Sequence, residues 1–375
     1  MHLNVSEQAI YKEKPQLRDL AEHTEKLAEW VSQKVGEPNQ YSLASLKPMS
    51  PDANGFAGET FVVTLTTPKS DTVRCILKRK PTKHLYFLEH DFDGEVRTQR
   101  ALGTRVPVAR VIAYEQSSSI LGSAFYLMEY VEGVPTKDHP SYYRESWLSE
   151  LPAEGQYRIC ASGLQALALL HSVEIDEIGA GFLRRATTDV GQHIYNLDVW
   201  RRFSDAAWCG EGPSFVVEGE RWLRENAPVP ARIAVSWGDA RPGNILFRNQ
   251  ECVALIDWDM VGAAAPEQDL GYWLAMDYQF QLVAEQMGGS CLTGWPDRRA
   301  MVKIYEAAAR RTIDRDALAY YRVFAAYKIA NMFARFLSMQ AELDATKRAA
   351  MTTEASPPIA VLRKEMDAAR NARFN

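Results

Sequence analysis

The chain has 375 residues, 46% of them apolar and 24% charged, which is the balance of a folded globular protein and not of a disordered one. Lys and Arg number 43 against 48 Asp and Glu, a net charge of −5, and this excludes the concentrated basic face of a nucleic-acid binder. The five cysteines (Cys75, Cys160, Cys209, Cys252, Cys291) lie far apart with no C-x-x-C pair, so neither a zinc site nor a disulfide framework is expected.

The N-terminal stretch lacks the apolar core of a signal peptide. No window approaches the roughly 18 consecutive apolar residues that a membrane span needs. A reducing cytoplasm is therefore the expected compartment. Residues 16–35 carry Leu17, Leu20, Leu27, Trp30 and Val31 at helical spacing, which predicts a helix stopped by Gly36 and Pro38. Between 41 and 80 the period changes. The runs FVVTLTT and TVRCILK are β-branched and flank the turn cluster Pro68-Lys69-Ser70-Asp71, the pattern of an antiparallel hairpin. A helix is predicted over 84–102, then strands over Val106–Tyr114 and Ser123–Tyr130. The stretch Glu132-Gly133-Val134-Pro135 reads as a boundary. Helical patterns follow over Tyr157–His171, 192–226 and 298–348, interrupted by a β-rich island of RIAVSW, NILF and VALIDW. A Ser-Pro-Pro break near Thr352 precedes a charged, helix-like tail.

The island carries the chemistry. It reads Ser236-Trp237-Gly238-Asp239-Ala240-Arg241-Pro242-Gly243-Asn244, then Ile256-Asp257-Trp258-Asp259. Each polar group sits at the edge of a short apolar strand, where a loop exposes it. Phosphoryl transfer needs a carboxylate to orient and deprotonate a hydroxyl, oxygen ligands for Mg²⁺, and cations to offset charge on the moving group. Asp239 fits the first role. Asn244 and Asp257 fit the second, since Mg²⁺ takes a carboxylate with a few neutral oxygens. Arg241 fits the third, with a guanidinium that is always charged.

Upstream, Lys78 ends the apolar run Cys75-Ile76-Leu77, and Glu95 follows on the predicted helix. A strand lysine that holds nucleotide phosphates, paired with a helix glutamate, is the arrangement of kinases. Gly55 and Gly58 flank a turn whose backbone N–H groups could cover phosphates; an ordinary turn explains them equally well. The backbone of Glu129 and Val131, at the end of Phe125–Tyr130, could meet an adenine. His171 is expected as a core or capping histidine, Asp269 as a support for the loop region, and His90 is given no chemistry. Arg298-Arg299 and Arg310-Arg311 read as solvated helix faces.

These residues resemble the aminoglycoside phosphotransferase-like kinases, a branch of the protein-kinase-like fold. The likeness rests on LKRKP, HDFDGEVRTQRAL, VPVARVIAYEQSSSILGSAFYLMEYVEG, WGDARPGNILF, ALIDWDM and the string Pro266–Leu270. It runs from about residue 25 to 340 and is strongest toward the phosphotransferase domain fused to some acyl-CoA dehydrogenases and its stand-alone bacterial relatives. The resemblance implies an α+β, bilobal fold with a small β-rich N-lobe and a larger, mainly helical C-lobe. It implies Asp239 as catalytic base, Asn244 and Asp257 as Mg²⁺ ligands, and Lys78 with Glu95 as the phosphate clamp. Three positions depart from the family pattern. Trp237 replaces a His that is mainly a support, Ala57 replaces a frequent Ser, and Ala265 replaces an Asp before Pro266, so a different helix cap is expected there.

The expected organisation is an N-terminal helical extension over 1–39, a nucleotide-binding lobe over 40–131, a catalytic and acceptor-binding lobe over 132–350 and a tail over 351–375. The expected reaction moves the γ-phosphate of ATP (GTP is an open alternative), with Mg²⁺, to the hydroxyl of a small molecule. The aromatic supply of Trp200, Trp208, Tyr272, Trp273 and Tyr278 suits an apolar or amphipathic alcohol, and the resemblance to the dehydrogenase-fused branch implies a hydroxyacyl compound as one such acceptor. The alternatives are an antibiotic-resistance kinase, a protein kinase and a nucleotide-binding regulator without turnover. No nucleic-acid partner is expected, and the oligomeric state is left open.

Overall fold

A computed structural model of the chain describes residues 20, 23–49, 59–82, 85–210, 212–340, 343–353 and 355–372. It divides into two units: Met1–Arg100 with Ala109–Val131, and Ala101–Val108 with Glu132–Asn375.

The first unit is built on strand alternation. Strand β2 (Glu59–Thr66) follows β1 (Ser42–Pro48) and buries Phe61, Val63 and Leu65 at every second position. Strand β3 (Thr72–Arg79) turns Cys75 and Leu77 into the same core, as the two-residue period of a strand requires. With β4 (Val111–Glu115) and β5 (Phe125–Glu129) these make a five-stranded antiparallel sheet in the order β1-β2-β3-β5-β4. Helix α1 (Thr24–Lys34) adds Leu27, Trp30 and Val31 to this core. The Trp30 ring meets Phe125 edge-on at 4.7 Å, and its Nε1 donates to Glu115 at 2.9 Å. Each buried side chain of this size contributes about 1.5–3 kcal/mol, so the apolar core outweighs any one polar contact.

Three sequence expectations change here. Strand β1 does not show in the residue pattern, because a register shift between Leu43 and Ser45 offsets its two leucines from strict alternation. The helix expected over 84–102 is α2 (Phe92–Leu102). Its ladder starts only where the Asp91 carboxylate accepts from the Gly94 N–H and the Asp91 carbonyl from the Glu95 N–H, both at 2.9 Å. The strand expected from Val106 begins at Val111. Pro107, which cannot donate to a ladder, belongs to the second unit and gives its carbonyl there to the Leu255 N–H at 2.7 Å.

The second unit is mainly helical. Its helices are α3 (Ala153–Ser172), α4 (Asp189–Ala207), α5 (Ser214–Glu225), α6 (Pro266–Gln286), α7 (Arg298–Ala309), α8 (Arg315–Ser338), α9 (Ala345–Met351) and α10 (Pro357–Ala372). Two small antiparallel pairs sit among them: β6 (Ala234–Ser236) with β9 (Gly262–Ala264), and β7 (Ile245–Arg248) with β8 (Glu251–Leu255). The hairpin between β7 and β8 turns on Asn249 and Gln250, both left-handed at φ 53° and 67°, as a tight two-residue connection requires. The helix expected over 192–226 is broken between α4 and α5 by Cys209 and Gly210, left-handed at φ 55° and 80°, and by Pro213. The one expected over 298–348 is broken at Arg310 (φ 52°) and restarts where the Asp314 side chain caps α8. Helix α8 is buried on almost every side, which is why its sequence shows no polar face.

The expected solvated arginine faces are half corrected. Arg299 and Arg310 are exposed. Arg298, however, donates to Glu365 at 2.6 Å, and Arg311 pairs with Glu267 at 3.0 Å. Among the described residues no helix is long and apolar enough to cross a membrane.

Candidate active site

In the first unit, strand alternation separates Lys78 from Leu77. The two side chains leave opposite faces of β3, and Lys78 lies in register with Tyr126 of β5. Helix α2 covers that second face with Phe92 and Val96, packed near Tyr126. Glu95 therefore points at Lys78. Lys78 Nζ donates to Glu95 Oε1 at 2.7 Å, as does the Tyr126 hydroxyl, also at 2.7 Å. His90 Nε2 lies 3.1 Å from the other carboxylate oxygen, a contact the sequence did not suggest. Burial alone would push the Glu95 carboxyl up, but the Lys78 ammonium and the His90 ring outweigh it and hold the group down at about 2. The pair is almost fully buried.

Glu129 closes β5, and its N–H is spent on the Arg110 carbonyl at 3.0 Å. Val131 lies two residues beyond the strand. Gly55 and Gly58 lie outside the described residues, as does Ala57.

In the second unit the loop after β6 is fixed from several sides. Gly238 is left-handed at φ 88°, and a Cβ on it would sit 2.2 Å from the Met260 carbonyl oxygen, so only glycine fits there. Asp269, fully buried in the first turn of α6, takes four hydrogen bonds. It accepts from Ser236 Oγ and the Trp237 N–H at 2.7 Å, from the Gly238 N–H at 3.1 Å, and from His171 Nε2 at 3.1 Å. Burial would raise its carboxyl, but His171, Ser236 and the Trp237 N–H together lower it. His171 is a buried core residue that also meets the Tyr305 hydroxyl at 2.6 Å. The expected roles of Asp269 and His171 as supports hold. Ala265 gives α6 no side-chain cap, and Pro266 opens the helix, where a missing N–H costs nothing.

Three of the expected site residues lie on or next to this loop. Asn244 Nδ2 donates to the Asp239 carboxylate at 2.7 Å and to the Asp239 carbonyl at 3.0 Å. Both partners are acceptors, so the amide nitrogen must face them and Asn244 Oδ1 faces the other way. The Asn244 carbonyl accepts from the Ile256 N–H at 2.9 Å, which brings Asp257 beside it. Asp257 is left-handed at φ 60°, a conformation that costs a non-glycine residue on the order of 1 kcal/mol. Trp237 braces it: the buried indole Nε1 donates to the carbonyls of Ile256 and Asp257 at 3.0 and 3.2 Å. The residue in place of the family histidine is thus itself a support. Asn244 thus links the Asp239 carboxylate through its side chain, and the segment that bears Asp257 through its backbone carbonyl.

Arg241 stands between two carboxylates. Its Nε lies 3.1 Å from Asp239 Oδ1, and its Nη1 donates to Asp138. Burial opposes its charge, but Asp138, Asp239, Tyr272 and Asp257 outweigh that and strengthen its hold on the proton. The guanidinium is shared between two carboxylates. Nothing in the sequence near Asp138 marks it, because the pairing joins residues 103 apart. A second residue missed from the sequence is Lys328, buried on α8, whose Nζ donates to the Gly238 carbonyl at 3.2 Å. A signal existed: one lysine inside the apolar run YYRVFAAYKIANMF cannot lie on a solvated face. The aromatics proposed for acceptor contact differ from expectation. Tyr272 and Trp273 are core residues, and Trp208 Nε1 is bonded to Asn331 at 2.6 Å.

The chain belongs to the phosphotransferase enzyme family (APH), whose model it matches over residues 49–301. The rat protein acyl-CoA dehydrogenase family member 11 (Rattus norvegicus) is 30% identical over 247 residues, 64% of this chain and 30% of that protein. The match thus spans under a third of this relative's own length. Among solved structures, a Ralstonia eutropha protein assigned to the aminoglycoside phosphotransferases aligns with TM-score 0.66 and 23% identity, over 92% of this chain and 98% of that one. The choline kinase of Cryptosporidium parvum aligns with TM-score 0.58 and 12% identity, over 92% and 97%. The fold is α+β and protein-kinase-like, with a β-sheet N-terminal part and a helical C-terminal part.

Proposed function

We propose that this phosphotransferase moves the γ-phosphoryl group of ATP to the hydroxyl of a small molecule, with Mg²⁺. The observation that carries the reading is the pair of contacts through which Asn244 joins the Asp239 carboxylate to the segment bearing Asp257. In this reading the acceptor hydroxyl binds Asp239, which orients it and takes its proton as the oxygen attacks phosphorus. The new O–P bond forms as the bond from phosphorus to the β-phosphate oxygen breaks, and ADP leaves with that electron pair.

The donor set suits a hard cation. Asn244 presents an amide oxygen, turned away because its nitrogen is engaged, and Asp257 presents a carboxylate. When bound there, Mg²⁺ supplies charge neutralisation for the triphosphate. Lys78, held by Glu95, is the proposed phosphate contact, and the backbone of Glu129 and Val131 the proposed adenine contact. Gly55 and Gly58 remain the proposed phosphate-covering turn. Arg241, bonded to Asp239, is proposed to aim that carboxylate and to offset charge on the moving phosphoryl group.

The acceptor is proposed to be a small alcohol, a hydroxyacyl compound being the form suggested by relatives whose name is acyl-CoA dehydrogenase family member. The runner-up is an antibiotic acceptor, which the fold alone would equally accommodate.

The test uses Asp239→Asn. ADP release from Mg·ATP, with water or a library of alcohols as acceptor, should fall by a factor of about 10³ or more. Binding of a fluorescent ADP analogue should stay within a few-fold of the wild type. Near-normal turnover in Asp239→Asn would remove the proton-acceptor role.

A further inference from the structure

Lys328 sits in the middle of α8 and is 2% exposed. A buried ammonium is costly unless its charge and its three N–H donors are met. Lys328 meets them in an unusual way. One donor goes to the Gly238 carbonyl at 3.2 Å. The charge lies over two ring faces, Trp200 of α4 at 4.8 Å and Tyr272 of α6 at 4.6 Å. Gly238 is the residue before Asp239, and its N–H is held by Asp269. The residue that introduces the proposed proton acceptor is thus gripped at both ends, by a carboxylate at its N–H and by an ammonium at its carbonyl.

We infer that Lys328 is a positioning residue for Asp239: it fixes the Gly238–Asp239 peptide from the carbonyl side and so holds the carboxylate in its reactive direction. The inference rests on the reading of Asp239 given above. A purely structural lysine would be expected to reach a surface or a carboxylate partner; this one spends its charge on a single loop carbonyl and on aromatic faces. The charged groups that face it are Asp239 from the loop and Asp269 from the start of α6, and the Tyr272 phenol belongs to one of its rings. Burial pushes the ammonium down, and the two carboxylates only partly restore it, leaving it at about 8. Above that pH the charge is lost, and with it the attraction to the carbonyl and the ring faces. Turnover should therefore decline on the alkaline side, while nucleotide affinity, which is proposed to rest on other residues, should not.

The experiment follows ADP release from Mg·ATP by the full chain, with water as the acceptor, from pH 6 to 10. Wild-type kcat should fall with a single titration near pH 8 while KM for ATP stays constant. Lys328→Met keeps the length and apolar stem of the side chain. It should lower kcat at pH 7 by about 10- to 100-fold, the scale of a small misplacement of a reacting group. Its KM for ATP should stay within about twofold, and its profile should be flat above pH 7. Lys328→Arg should recover part of kcat and move the decline out of range. The inference is overturned if Lys328→Met keeps the wild-type kcat and profile, or if the alkaline decline persists in it unchanged. If Lys328→Met does not fold, a wild-type kcat that stays level from pH 7 to 10 overturns it. A wild type that neither binds the fluorescent ADP analogue nor releases ADP sinks the phosphotransferase reading and this inference with it. A wild type that turns over beside an equally active Lys328→Met sinks only the present one.

Discussion

Single residues in this protein carry charge in places where water cannot help them. Glu95 is the clearest case. Its carboxylate is buried, yet it ionises more readily than a free one because Lys78 and His90 stand against it. A carboxyl lowered from 4.5 to about 2 adds stability that is complete above pH 4.5 and is lost as pH falls toward 2, because the unfolded chain takes up the proton first. A shift of this size corresponds to on the order of 3 kcal/mol. Acid unfolding followed by circular dichroism should therefore show the first unit weakening through this window. Glu95→Gln should flatten that dependence and also raise KM for ATP, since Lys78 would lose its tether. The aromatic and carbonyl partners of Lys328 make the same point from the cationic side.

At the scale of elements, the loop between β6 and β7 is determined by what surrounds it. The Gly238 backbone conformation and the Met260 carbonyl together forbid a side chain there. Gly238→Ala should cost more than the roughly 1 kcal/mol of an unfavourable φ, because a backbone atom must also move, and urea unfolding of the full chain should register at least 2 kcal/mol. Asp269 is the matching anchor. Asp269→Ala would strand the N–H groups of Trp237 and Gly238 in the interior, and the same assay should read a loss of about 3 kcal/mol or more. Asp269→Asn, which keeps an acceptor oxygen, should recover part of it. The spacing of Asp239, Asn244 and Asp257 was readable in advance because strand–loop–strand geometry is local: a short strand, a turn and a hairpin place them on adjoining segments within 18 residues of chain. Helix ends were read less well. The start of α2 depends on one Asp91 cap, and the break between α4 and α5 on two left-handed residues, signals too small for a period to reveal.

At the scale of the whole molecule, each unit has its own core, and the C-terminal helix α10 belongs to the second. Ile359, Val361, Leu362 and Met366 are buried. Glu365 beside them, almost fully buried, accepts from Arg298 at 2.6 Å and also from Arg322. One carboxylate thus ties three helices together. Glu365→Ala would leave the half-buried Arg322 without this partner, and thermal unfolding should show a loss of about 2 kcal/mol, with residues 357–372 the first to exchange their amide hydrogens. Glu365→Gln should lose less, since it still accepts one hydrogen bond.

Local rules were enough for most strands and helices and for the chemistry expected of Asp239, Asn244, Asp257, Lys78 and Glu95, because alternation, turn residues and motif spacing act over short stretches of chain; the class of fold came from the resemblance those motifs carry. The same rules were silent about Asp138 and Glu365, and showed of Lys328 only that it stands inside an apolar run, not what it meets. Each of these works through a partner 43 to 103 residues away, and such a pairing exists only after helices and loops have packed. Burial then turns an ordinary surface residue type into a costly one, and the contact that offsets the cost is written in three dimensions and not along the chain.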